Sequence, residues 1–178
     1  MTSTGARSIG DRTRDDGEGD GRRRALTPAQ MYCLAAGVAL LLAGLLGFIV
    51  DSSFDTSASG ASGANHADGM LQGKSLLGFE VNGWHNVVHV LSGLVLLAAW
   101  RKRRSAKAVA LGFGVVYGIV TIIGLIDGND VLGLIPVNAA DNVLHVALSA
   151  AGIITGLISR ADEDPARTVG DGERARTA

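Results

Sequence analysis

Three of the four histidines in this 178-residue chain fall in one repeated pattern. Val81-Asn82-Gly83-Trp84-His85-Asn86-Val87-Val88-His89-Val90 aligns with Val137-Asn138-Ala139-Ala140-Asp141-Asn142-Val143-Leu144-His145-Val146, with six of ten positions identical. Asn82, Asn86, His89 and Gly93 are spaced i, i+4, i+7 and i+11, so a helix would carry them on one face; Asn138, Asn142, His145 and Ser149 repeat that spacing. Several chemistries use such residues. His85 and His89 at i, i+4, facing Asp141 and His145 at the same spacing, could bind a divalent metal. His89 and His145 could be axial ligands of a haem held between two helices, although no c-type attachment motif is present. Imidazoles titrate near neutrality, so the pair could also carry or sense protons, as in a small proton-coupled transporter.

A plainer use competes with all three. Asn82 and Asn138 stand where helices start and suit N-caps, and Asp141 then sits at N3, where the helix dipole favours a carboxylate. Asn86, His89, Asn142 and His145 lie deeper, His89 about 10 Å below Asn82. Polar groups at that depth need partners, and hydrogen bonds between helices are the simplest ones. The reading preferred here is a structural polar stripe of Asn82, Asn86, His89, Asn138, Asn142 and His145, with no catalytic residue and no cofactor.

The elements that would position these residues are long and apolar. Met31–Val50 is uncharged over twenty residues, enough at about 1.5 Å per residue to cross a hydrocarbon core of about 30 Å. Further spans are expected near 82–100, 108–126 and 139–159. A cleaved signal peptide is the alternative for the first. The repeat needs that helix, however, which weighs against cleavage. Gly114-x-x-x-Gly118, Gly152-x-x-x-Gly156 and the weaker Ala43-x-x-x-Gly47 allow close helix contact within the bundle. Cys33 reads as a small packing residue. Each apparent unit is a helix pair used twice in the same orientation, which implies a pseudo-two-fold axis along the membrane normal.

Charge sets the expected threading. Fifteen of sixteen Lys and Arg residues precede the first span, lie between the second and third, or follow the fourth; Lys74 is the exception. The excess of bases puts both termini and the 101–107 loop in the cytoplasm. Trp84 and Trp100 bracket the second span, as interfacial residues do. Residues 1–26 and 160–178 are polar and charged without apolar period, and read as disordered cytoplasmic tails flanking a transmembrane domain at 27–159.

The composition excludes other classes. One cysteine rules out a disulfide framework. A net charge of -1 and 4% aromatic residues argue against nucleic-acid binding. The chain has no phosphate-binding glycine loop, no nucleophile elbow and no paired catalytic carboxylates.

Gly78-Phe79-Glu80-Val81-Asn82 running into His85-Asn86-Val87-Val88-His89, and Pro136-Val137-Asn138 running into Asp141-Asn142-Val143-Leu144-His145, resemble the signatures of the domain of unknown function family 4383. The resemblance covers roughly residues 27–158. It implies a small bacterial or archaeal four-helix integral membrane protein, and implies no activity. The resulting expectation is an all-α, four-transmembrane-helix bundle of two tandem two-helix repeats in the cell membrane. Its partner would be the lipid bilayer, and its role non-enzymatic: structural, envelope-associated or sensing.

Overall fold

A computed structural model describes residues 25–56, 71, 73–128 and 130–161. The expected tails, apart from residues 25, 26, 160 and 161, lie outside the described residues, as does the Ser/Gly-rich stretch 57–64. Four helices dominate: α1 (Pro28–Val50), α2 (Gly83–Ala99), α3 (Arg103–Asp127) and α4 (Ala139–Ile158). Two small antiparallel hairpins, β1 (Lys74–Leu76) with β2 (Phe79–Val81) and β3 (Asp130–Val131) with β4 (Ile135–Pro136), lead into α2 and α4. The chain is mostly helical with four helices, as the all-α expectation has it, and the two short hairpins are additions to it. Their tips are Leu77-Gly78 and Leu132-Gly133, all with positive φ, which reverses the chain tightly.

The helix limits also differ from those read off the apolar runs. α1 begins three residues before Met31 because Thr27 and Gln30 form a capping box around Pro28 at the first helical position. α3 begins at Arg103, five residues before its apolar run. Its basic first turn is made of good helix formers whose charged ends can reach water while their stems cover apolar surface.

α1 packs chiefly on α2, and α3 on α4. Small residues set these close contacts. A Cβ on Gly44 would lie 2.7 Å from the Asn86 carbonyl, and one on Gly114 would lie 2.8 Å from the Ser149 carbonyl. The glycine pairs foreseen in α3 and α4 therefore serve packing within the chain. α2 and α4 are not among the closely packed helix pairs.

Burial is inverted relative to a water-soluble bundle. The helices expose Leu42, Leu45 and Ile49 on α1, Val115, Ile119 and Ile122 on α3, and Val143, Ile154 and Leu157 on α4, while Asn, His, Ser, Thr and Gly fill the interior at the hairpin end. So extensive an apolar exterior requires an apolar solvent. α1, α3 and α4 are long and apolar enough to cross a membrane; α2, at 17 residues, is the shorter apolar helix.

The end of the bundle opposite the hairpins is apolar inside. Ala29, Tyr32, Cys33, Ala36, Leu96, Ala106 and Ala110 are buried there. Polar bonds close it off: Gln30 Nε2 donates to the Trp100 carbonyl at 3.0 Å, Ala29 N to Ser159 Oγ at 2.8 Å, and Lys107 Nζ to the Ser159 carbonyl at 2.8 Å. Cys33 is buried in this cluster, with its thiol directed at the Ala106 carbonyl.

Candidate functional site

The polar interior gathers beneath the two hairpins. Asn82 is the N-cap of α2: its Oδ1 accepts from His85 N at 2.9 Å. Asn138 is the N-cap of α4 and accepts from both Ala140 N and Asp141 N. Each cap also reaches across to the other helix pair. Asn82 Nδ2 donates to the Leu134 carbonyl at 2.8 Å, and Asn138 Nδ2 donates to the Gly78 carbonyl at 2.9 Å. Both acceptors lie at hairpin tips, so each helix start grips the turn that precedes the other.

Asp141 completes a capping box with Asn138. Its Oδ2 accepts from Asn138 N at 2.9 Å and from Glu80 N at 3.0 Å, which joins α4 to β2. Burial pushes the Glu80 carboxyl up from its ordinary value; a Gly73 backbone N–H opposes this, and the Asp141 charge adds to it. Deeper in the stripe, Asn86 Nδ2 donates to the Asp51 carbonyl at the end of α1 at 2.7 Å, and Ser149 Oγ donates to the Gly114 carbonyl at 2.6 Å. Part of the stripe therefore binds helix to helix. The Oδ1 atoms of Asn86 and Asn142 are buried without a partner.

His85, His89 and His145 converge between α2 and α4. All three are buried, at 1%, 7% and 3% exposure. His85 Nε2 and His89 Nε2 are 3.1 Å apart. The ring centroids are separated by 4.3 Å (His85–His89), 6.1 Å (His85–His145) and 6.3 Å (His89–His145). One ring nitrogen from each lies within 4.8 Å of the other two. Nδ1 of His89 and of His145 has no hydrogen-bond partner, whereas the His85 ring also interacts with the backbone of Glu80 and Pro136. Among the described residues, this is the group of three metal-ligating side chains that the fold brings together. Asp141, expected as a fourth ligand, is not in it: its carboxylate is turned to the backbone N–H groups of Asn138 and Glu80.

Sequence reasoning missed Tyr117. Its ring packs edge-on against His145 at 5.4 Å and stacks on Phe113 at 4.1 Å, so it divides the polar end from the apolar one. Its hydroxyl pairs with Ser92 Oγ at 3.2 Å. Its local signal was a phenol hydroxyl in a run whose other members, Thr121 apart, are apolar.

The apolar exterior, the spans and the polar interior define a helical membrane protein. The chain belongs to the family described as Domain of unknown function (DUF4383), whose model matches residues 30–158. Neither the curated proteins nor the solved structures include a match to the chain.

Proposed function

We propose that the chain crosses the cell membrane four times as two tandem copies of one helix pair, with both termini and the 101–107 loop in the cytoplasm. Its role is non-enzymatic, structural or sensing, and the polar stripes fasten the two copies into one unit. The reciprocal bonds from Asn82 to the Leu134 carbonyl and from Asn138 to the Gly78 carbonyl carry this reading. The two acceptors are 56 residues apart, as are the two donors. A bond of this kind, repeated with donor and acceptor exchanged, is what a pseudo-two-fold axis produces.

Further matches support the duplication. Gly37, Leu40, Gly44 and Gly47 are the buried positions along the outer half of α1; Gly114, Tyr117, Thr121 and Gly124 are those along α3, each 77 residues later. The offset is 56 for the second helices and 77 for the first, because the α1–α2 connection (51–82) is 21 residues longer than the α3–α4 connection (128–138). α2 is within the range of about 17–25 residues that cross a bilayer, which supports the fourth span. Clustering of fifteen of sixteen bases at the end away from the hairpins, or in the tails, supports the orientation.

Single-cysteine labelling tests the threading. In a Cys33→Ala background, Ser59→Cys should react with an impermeant maleimide added outside intact cells, and Ser105→Cys only after lysis. The reverse pattern would overturn the orientation, and the same pattern at both positions would overturn α2 as the single span between them.

A further inference from the structure

We propose that His85, His89 and His145 form a binding site for a divalent first-row transition-metal ion, of the zinc, cobalt or copper class, bridging α2 and α4. This goes beyond the structural reading and does not depend on it, since the reciprocal asparagine bonds involve none of the three rings.

Three observations combine. The first is convergence. Tetrahedral zinc with Zn–N of about 2.0–2.1 Å places its ligand nitrogens about 3.3 Å apart. His85 Nε2 and His89 Nε2 stand 3.1 Å apart before any ion is considered, and the third nitrogen is within 4.8 Å of both.

The second is what the rings lack. A buried neutral imidazole normally spends one nitrogen as donor and the other as acceptor. Here Nε2 of His85 and Nε2 of His89 face each other instead of an ordinary donor or acceptor of the fold, and Nδ1 of His89 and of His145 has no partner. Leaving a buried polar atom unpaired costs about 1–3 kcal/mol. A purely structural stripe has no reason to set two buried imidazole nitrogens against each other. An ion held by one nitrogen of each ring turns the ring-to-ring closeness into shared coordination and fixes every tautomer, with the proton on the other nitrogen; for His85 the backbone of Glu80 and Pro136 is at hand to accept it.

The third is the choice of side chains. Imidazole suits zinc, copper, nickel and iron, and is a poor ligand for calcium or magnesium. Three neutral ligands leave the ion's charge uncompensated, and the Asp141 carboxylate interacts electrostatically with His145 from just outside the set. Three protein ligands also leave one tetrahedral position for water. The spacing favours an ion over a haem: the His85 ring lies 4.3 Å from His89 and 6.1 Å from His145, on the ground a macrocycle between His89 and His145 would occupy.

The test uses the full chain in detergent, with the affinity tag removed. Cobalt(II) is the probe, because tetrahedral coordination gives it a visible absorption band, and zinc competes for the same site. We expect one cobalt per chain, displaced by zinc, and a rise in Tm on zinc addition. His85→Gln, His89→Gln and His145→Gln should each weaken cobalt binding at least 100-fold and abolish the zinc-induced rise. His66→Gln, which alters the fourth histidine of the chain, should change neither. Glutamine keeps a polar side chain of similar reach, and helix content by circular dichroism verifies that each variant is folded. Absence of stoichiometric cobalt and zinc binding in the wild type would overturn the proposal. So would binding that survives in the three folded variants, or that disappears only with His66→Gln.

Discussion

Position N3 of α2 is His85; position N3 of α4 is Asp141. The two helices start alike, each with an asparagine cap that reaches to the opposite hairpin. The residue three places on then takes opposite directions. Asp141 turns back, accepts the N–H of its own cap and that of Glu80, and finishes a capping box. His85 turns inward and joins His89 and His145. A carboxylate is an acceptor only and finds N–H groups at a helix start; an imidazole at the same place gains more from the interior. A scaffold with matching halves can thus carry an asymmetric site through one substitution at a matched position.

The largest expected effect tests whether both halves rest on the same close packing. Gly44→Val and Gly114→Val each drive a branched side chain into the backbone of the partner helix. Each should cost about 3 kcal/mol or more, and chemical denaturation in mixed micelles should show equal losses. A tolerated valine at one site alone would break the comparison between the helix pairs.

Next is the N3 position itself. Asp141→Ala removes an acceptor of two backbone N–H groups and should cost about 2–3 kcal/mol. His85→Asp should leave the fold intact, because aspartate suits N3, yet remove a proposed metal ligand. If His85→Asp unfolds the chain, the two positions are not interchangeable at the level of the cap.

The asparagine caps come third. Asn82→Ala and Asn138→Ala should each lower stability by about 2 kcal/mol, about 1 from the cap and about 1 from the bond across the halves. Asn138→Ala should be the larger, since that side chain accepts from two N–H groups rather than one. Equal, negligible losses would remove the observation on which the proposed function stands.

The smallest effect is a pH dependence at Glu80. Its carboxyl is pushed up from 4.5 in the folded protein, so the folded state holds this proton more tightly than the unfolded state does. Its contribution to stability therefore falls as pH rises through 4.5 and levels off above the raised value. Glu80→Gln should raise Tm at neutral pH and leave it unchanged well below pH 4.5. A fall in Tm at neutral pH would mean that the charged carboxylate is the stabilising form.

Legibility from the residues alone followed locality. The first-helix limit at Val50, the caps at Asn82 and Asn138 and the shared face of Asn86 and His89 depend on neighbours within about four residues, where period and cap chemistry act. The Thr27–Gln30 box is equally local, a polar pair that stands ahead of the apolar run and so outside its period. The hairpins were harder to see, since a two-residue strand carries almost no periodic signal. Asp141 is the instructive case: its spacing from His145 fits a metal ligand, but the Glu80 N–H that helps to hold its carboxylate comes from a strand 61 residues away.

By itself, the sequence determined the four apolar segments, the polar stripe on two of them and the asymmetry of basic charge, because those are properties of composition and helical period. Only the tertiary structure decided that each cap grips the other pair's hairpin and that three histidines from two loosely packed helices meet within 4.8 Å. Those facts depend on the relative rotation and height of α2 and α4. Contacts distant in sequence set these, with the glycine faces of α1 and α3 and the hairpins acting together, and no local pattern encodes them.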